Sequence, residues 1–455
     1  MRAPARSSRT RDMTEGPILP HLIGFAVPLL FGNIFQMLYN TVDTLVVGNF
    51  VGKEALAAIG STTMIVNIMI FFFNGVAIGA GVVISQFFGA REEKKLHSAV
   101  ETTMAVTFLI GAVFTVMGIL GVPMMLRLMS TPDDVFGEAA TYLRIYFAGS
   151  IGLCVYNMGS GILRAVGDTK RPLYFLIFTS LLNTVLDLIF VIPLKWGIAG
   201  AGWATIISQF ISAFMVLALL TRSDTIYRLT WHDLRIDGVI LRRILAIGLP
   251  AGIQSMLTSF SNVFVQSYVN GFGSSCMAGW SCYNKLDAFV FLPINSLNQS
   301  ATTFVSQNVG AGKVRRAYDG SIRTVVFTML MTAILAAGLY IFAPGATALF
   351  TQDPSVIEYG VLFLRMNTFF LIFSAANNVL AGSLRGRGDS RGPMIIMLST
   401  FVALRQIYLF VATRIAYTPQ VVGIGYPVGW ASCGILMFIY FLHKWSDVRG
   451  SKSAA

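Results

Sequence analysis

Apolar residues run along this chain in long blocks, and the polar interruptions are short. A helix needs roughly 20 apolar residues to cross the hydrocarbon of a bilayer. Twelve such stretches are present, at approximately 21–46, 55–82, 98–122, 136–160, 171–193, 197–220, 243–269, 275–304, 321–343, 356–381, 393–416 and 420–443. The breaks hold the Gly, Pro and charged residues that end helices, as in Gly48 to Gly52, Gly89 to Lys95, Thr131 to Asp134 and Gly167 to Pro172. The longest break, 221–242, contains Arg222, Asp224, Arg228, Asp233, Arg235 and Asp237 and reads as a linker between two six-helix lobes. The pattern predicts an all-α polytopic membrane protein with twelve transmembrane helices. Its N-lobe is 21–220, its linker 221–242 and its C-lobe 243–443, with tails at 1–20 and 444–455. The first span is too long for a signal peptide and no small-residue cleavage pattern follows it. Met13 opens a phrase that would serve as a start by itself, so residues 1–12 read as a polar tail, either an extension or a mis-called start.

Composition agrees with lipid rather than water. Only 12% of the 455 residues are charged, against about 25% in soluble domains, too few to skin two or three globular domains. The net charge of +12 is explained by where the basic residues fall. Of the 33 Lys and Arg, 25 lie in the N-terminal tail, the loops after even-numbered spans and the C-terminus. Lys53, Arg127, Lys195 and Arg414 lie on the other side, and Arg144, Lys285, Arg365 and Arg405 fall inside spans. That asymmetry is the positive-inside pattern. It places both termini in the cytoplasm; the accompanying expectations are a plasma (inner) membrane, lipids as neighbours and no nucleic acid as partner.

The chain also matches itself at an offset of 221. Ser85-Gln86 with Gly89-Ala90 returns as Ser306-Gln307 with Gly310-Ala311, and Leu163-Arg164 with Gly167-Asp168 and Pro172 returns as Leu384-Arg385 with Gly388-Asp389 and Pro393. Asn49/Asn270, Gly52/Gly273, Arg144/Arg365 and Asn157/Asn378 keep the same offset. Beyond the eleventh span it becomes 227, where Gly202-Trp203-Ala204 meets Gly429-Trp430-Ala431, so about six extra residues are expected there. With six spans per half, equivalent loops share a membrane side and the repeat is parallel. Repeats of this kind build alternating-access transporters, with the substrate site between the halves.

Ionisable and amide groups inside a membrane are costly and usually functional. The first span carries Asn33, Gln36, Asn40 and Asp43 at spacings that share one helix face, and the fifth carries Asn183 and Asp187, four apart. With Thr205 of the sixth span they supply two carboxylates, an amide oxygen and a hydroxyl, a hard-oxygen set for Na⁺ or a carboxyl pair that shares a proton. The positions equivalent to Asp43, Asn183 and Asp187 are Phe264, Leu404 and Tyr408, so the carboxylates occur in one half only. A neutral polar lining is expected from Gln36, Asn40, Asn67, Asn157, Asn262, Gln266 and Asn284, with Lys285 and Asp287 as a cavity-lining pair and Arg405 facing the C-lobe interior. Arg144 and Arg365 recur at matching positions and read as structural, and Glu101, near the start of the third span, reads as solvated.

Other chemistries find no support in the motifs. Neither Lys53 nor Lys313 completes a phosphate-binding loop, because Glu54 and Val314 follow them. His21, His97, His232 and His443 lie at helix ends or in loops without metal-binding spacing, and Cys154, Cys276, Cys282 and Cys433 form no Cys-x-x-Cys. No hydrolytic nucleophile and base are paired. The expectation is a non-enzyme without a resident cofactor.

The sequence resembles the multidrug and toxic compound extrusion (MATE) family of the MOP flippase superfamily. The resemblance rests on Pro28 and Asn40-x-x-Asp43 in the first span, Gly52 and Ala57, the doubled Ser-Gln-x-x-Gly-Ala and Leu-Arg-x-x-Gly-Asp-x-x-x-Pro loops, and the Gly-rich start of the sixth span up to Thr205. It covers about residues 13–445. It implies a V of two six-helix lobes and a monomer that exports organic, often cationic, amphipathic compounds in exchange for H⁺ or Na⁺. It also implies a coupling site at Asp43, Asn183, Asp187 and Thr205, with Tyr142 beside it. A second family branch places carboxylates on the seventh and tenth spans, where this chain has none on the seventh and only Glu358 at the outer start of the tenth. A lipid or glycolipid flippase of the same superfamily is the alternative, kept open by Arg405 and Lys285.

Overall fold

A computed structural model describes residues 11–222 and 225–450. Arg2, Arg6, Arg9 and Lys452, four of the 25 basic residues counted above, and Asp224 of the linker lie outside the described residues. Among those described there are helices and turns but no strand. In chain order the helices are α1 (Ile18–Phe50), α2 (Lys53–Gly89), α3 (Glu93–Leu128), α4 (Asp133–Ala148), α5 (Ser150–Ala165), α6 (Lys170–Val191) and α7 (Gly197–Arg222). After the linker come α8 (Gly238–Asn270), α9 (Ser274–Gly310), α10 (Val314–Ile341), α11 (Ala343–Ala348), α12 (Pro354–Asn367), α13 (Leu371–Gly386), α14 (Arg391–Leu398), α15 (Arg405–Ile415), α16 (Pro419–Gly423), α17 (Gly425–Lys444) and α18 (Ser446–Gly450).

Ten segments among the described residues are long and apolar enough to cross a membrane. The two other expected spans differ for visible reasons. The stretch 136–160 is two helices, α4 and α5, meeting at Gly149, each 16 residues long. The stretch 275–304 lies in one 37-residue helix, α9, long enough but loaded with Asn284, Lys285, Asp287, Asn295, Asn298 and Gln299.

The 221-residue repeat is written into the backbone. Gly52 and Gly273 precede α2 and α9 with φ of 127° and 88°, and Gly167 and Gly388 turn the chain at 89° and 101°. These are left-handed conformations that only glycine adopts without strain. Asp168 Oδ1 accepts from Arg171 N at 3.2 Å and Asp389 Oδ1 from Gly392 N at 3.0 Å, so the same residue of each repeat caps the helix that follows. The break at Gly149 recurs between α12 and α13 as the short 3₁₀ turn Thr368–Phe370. The halves diverge where the offset changes. A π-helical turn, Ser399–Leu404, joins α14 to α15, and the short α16 lies between α15 and α17.

The chain divides into two compact units, one of Val27–Leu249 with Arg11 and Asp12, the other of Met13–Ala26 with the chain from Pro250 on. Pro28 and Pro250 lie within α1 and α8 next to these divisions, and each lacks the N–H that would bond one turn back. Within the first unit, α2 crosses the start of α8 at backbone contact: a Cβ on Gly248 would lie 2.7 Å from the Gly75 carbonyl oxygen. Gly75-x-x-x-Gly79 is therefore a close-packing face of the small-residue kind.

Candidate functional site

Four helices of the first unit bring polar side chains to one place. The i, i+4 spacing of Asn183 and Asp187 puts both on the face of α6 turned to the interior, where they are 1% and 0% exposed. Thr205 reaches the same region from α7, which packs along α6, and α4 supplies Tyr142, also buried. Asp43, on α1, is half-buried and is within electrostatic range of Asp187 and Tyr142.

Both oxygens of Asp187, both polar atoms of Asn183 and Oδ1 of Asp43 are buried and have no hydrogen-bond partner elsewhere in the protein, while the Asp43 and Asp187 carboxyls lie within hydrogen-bond reach of each other. Buried polar atoms are normally satisfied, since leaving one unpaired costs about 1–3 kcal/mol. A cluster of five such atoms, four on the same helix face, is suited to take a cation or protons from outside. The donor set is two carboxylates and an amide oxygen, which fits a small hard cation.

Sequence reasoning missed two members of this cluster. Tyr39, one turn before Asp43, points its hydroxyl at Thr205 Oγ1, 3.5 Å away. Tyr146, one turn after Tyr142, lies with its ring centroid 6.1 Å from that of Tyr142 and within electrostatic reach of Asp43. Their positions follow from the i, i+4 rule once Asp43 and Tyr142 are chosen. A tyrosine in an apolar run carries no mark that separates it from a core aromatic.

The residues expected to line a cavity divide into several groups. In the first unit Gln36, Asn40 and Asn67 are exposed, and Gln36 Nε2 donates to Asn40 Oδ1 at 3.3 Å. Asn157 instead donates to the Leu153 carbonyl one turn back at 2.8 Å, as Asn378 does to Ser374 at 2.9 Å. That shared bond gives both asparagines a helix-internal role. In the second unit Arg405 is buried, donating from one Nη to Ser261 Oγ at 2.7 Å and Asn262 Oδ1 at 2.8 Å. Its guanidinium lies 4.8 Å from the Tyr426 ring centroid. Gln266 donates to Asn270 at 2.8 Å.

The structure separates Lys285 from Asp287. Residues two apart on a helix do not face each other. Lys285 and Asn284 are exposed, Lys285 lying 5.4 Å from the Phe350 ring centroid, whereas Oδ1 of Asp287 is buried without a partner and faces the Tyr283 and Tyr426 side. Glu101, expected to be solvated, is 7% exposed and bonded to His97 and Thr230.

The MatE family model matches residues 28–189 and again 250–411, one match per repeat. The probable multidrug resistance protein YpnP of Bacillus subtilis is 29% identical over 447 residues, covering 96% of this chain and 98% of that protein. The multidrug export protein MepA of Staphylococcus haemolyticus is 21% identical, covering 85% of each chain. A solved structure described as the outward-facing conformation of a multidrug resistance MATE family transporter of the MOP superfamily superposes with a TM-score of 0.92. It is 22% identical and covers 98% of this chain and 100% of that one.

Proposed function

From the premise that the chain belongs to the MatE family of multi-pass membrane transporters, we propose that it is a secondary active multidrug efflux transporter working by alternating access. It exports organic, amphipathic, often cationic compounds in antiport with H⁺ or Na⁺, as a monomer in the plasma membrane with both termini cytoplasmic. The reading rests on one observation: the buried, unpartnered carboxylate and amide atoms of Asp43, Asn183 and Asp187 occur in one repeat and are replaced by Phe264, Leu404 and Tyr408 in the other. Scaffold residues recur, so the asymmetry belongs to chemistry rather than to architecture.

In this account a cation or proton enters from outside and settles on Asp43 and Asp187, with Asn183, Thr205 and the tyrosines Tyr39, Tyr142 and Tyr146 around it. Neutralising the pair removes the electrostatic reason for α1 to hold its outward-facing packing. Drug affinity falls, the drug leaves, and the lobes turn inward, where the ion is lost. An ion drives such a cycle only through its different affinity for the two states. Gln36, Asn40 and Asn67 within the first unit, and Asn262 and Gln266 within the second, offer such compounds adaptable polar contacts. The multidrug names of the relatives favour this reading over a flippase.

The test is transport by purified protein in proteoliposomes under an imposed proton gradient, a sodium gradient, or neither. Ethidium movement driven by one gradient and absent without it supports the reading and names the ion. Movement indifferent to both gradients refutes it.

A further inference from the structure

The linker between the halves is docked on the start of α3, and the docking point holds a cluster apart from the candidate site above. His97 and Glu101 are four residues apart and share a helix face, with His97 Nε2 2.7 Å from Glu101 Oε1. From the linker, Thr230 places its Oγ1 2.9 Å from the same nitrogen and 3.3 Å from the same carboxylate oxygen. Asp233 stands three residues on, in the one-turn helix Trp231–Asp233. One ligand atom each from His97, Glu101 and Asp233 all lie within 4.8 Å of one another.

The surroundings fix this arrangement from both sides. Thr102 Oγ1 donates to the Arg235 carbonyl at 3.3 Å and accepts from Asp237 N at 3.1 Å. Trp231 lies against Phe108 with ring centroids 5.9 Å apart, and Leu229 N donates to the Leu220 carbonyl at 2.9 Å. Leu96 and Val100 of α3 and Tyr227 and Leu229 of the linker are buried in one apolar core cluster. Glu101 is nine-tenths buried, and Asp233 is exposed and able to turn toward it.

The repeat sharpens the point. Thr103 and Thr107 return 221 residues later as Thr324 and Thr328, and all four donate to the carbonyl one turn back. His97 and Glu101 return as Tyr318 and Ile322. The scaffold of this helix is duplicated, while the donor atoms occur once, on the copy that carries the linker.

We propose that His97, Glu101 and Asp233 form a binding site for a first-row divalent cation, Zn²⁺ by preference, that clamps the linker to α3. One imidazole and two carboxylates suit zinc rather than the all-oxygen preference of Mg²⁺ or Ca²⁺. Zinc bonds of about 2.0–2.2 Å in a tetrahedron set ligand atoms roughly 3.3 Å apart. His97 and Glu101 therefore open slightly, the Asp233 side chain swings inward, and the Thr230 hydroxyl or a water completes the set. His97 binds as the neutral imidazole, so binding competes with protons.

The experiment uses tag-free, chelator-stripped protein in detergent, titrated with Zn²⁺ and with Co²⁺ as a spectroscopic probe. The expected result is one metal per chain, a tetrahedral Co²⁺ absorption band displaced by Zn²⁺, and slower tryptic cleavage at Arg228 and Arg235 when metal is present. His97→Ala and Asp233→Asn should each weaken binding by at least about tenfold. Asp233→Asn leaves the His97–Glu101 pair in place, so a loss of metal in that variant is not a folding defect. No stoichiometric binding, or binding that survives both substitutions, overturns the proposal and leaves the cluster as a hydrogen-bonded linker dock.

Discussion

Replacing Gly79 by alanine adds a single methyl group at the crossing of α2 and α8. That methyl would fall inside the contact radius of the Ile244 carbonyl oxygen, 2.8 Å from Gly248 N and 3.0 Å from Gly248 Cα. All three neighbours are backbone, so no side chain can turn aside, and ordinary contact requires 3.4–4 Å. The helices must part by half an ångström or more, opening packing over the whole crossing. Overpacking of this kind costs about 1–3 kcal/mol, and rigid neighbours put this case at the upper end. For a unit of this size each kcal/mol moves Tm by roughly 2–4 °C, so thermal unfolding of Gly79→Ala in detergent should fall by about 5–10 °C. Gly81→Ala, on the same helix with nothing within 4 Å of its Cβ, should be neutral or gain up to about 1 kcal/mol from helix propensity. Equal melting of Gly79→Ala and Gly81→Ala would refute the close crossing.

Other consequences follow from single contacts. Burial acts to raise the Asp389 carboxyl, but hydrogen bonds from Tyr440 and Gly392 N and the Lys444 ammonium outweigh it and hold it below its ordinary value. Its cap is thus charged at neutral pH and stabilising above the unfolded carboxyl range, and that stability is lost as pH falls through the folded value. Asp389→Ala should cost about 1 kcal/mol near neutrality, with the difference from wild type vanishing in acid unfolding curves. Arg405→Lys keeps the charge but loses the planar guanidinium that lies 4.8 Å from the Tyr426 ring centroid while one Nη reaches Ser261 and Asn262; it should lower Tm and change drug affinity, measured by binding titration, without removing ion dependence. Asn157→Ala, which breaks only a bond to its own helix, should leave ethidium KM within about twofold of wild type.

Much of this molecule was legible in its sequence because a membrane imposes long apolar blocks and a duplication repeats its punctuation. Gly52/Gly273, Gly167/Gly388 and Asp168/Asp389 are turn and cap residues whose backbone roles follow from their type, and the structure repeats each of them. Asp43, Asn183 and Asp187 stood out because charge in an apolar helix is conspicuous and helical spacing is simple. Legibility ended where chemistry depends on neighbours far along the chain. Gly149 interrupts a span that hydropathy reads as continuous, since one glycine in an apolar run leaves the average unchanged. Asn157 looked like a cavity residue because its bond to Leu153 leaves no trace in composition. Lys285 and Asp287 looked paired because proximity in sequence hides the 200° between them on a helix. Glu101 looked solvated because the residues that bury it, Thr230 and its neighbours, lie about 130 positions away in a segment with no pattern of its own.

The central claim is that Asp43 and Asp187 couple an ion to drug export. The most direct measurement is ethidium transport in proteoliposomes under the gradient that drives the wild type, made with Asp43→Asn, Asp187→Asn and Asp287→Asn, each shown to be folded by its melting curve. The account predicts that gradient-driven transport is lost in the first two and retained in Asp287→Asn, whose buried carboxyl sits in the other repeat. Wild-type gradient-driven rates in both Asp43→Asn and Asp187→Asn would contradict it.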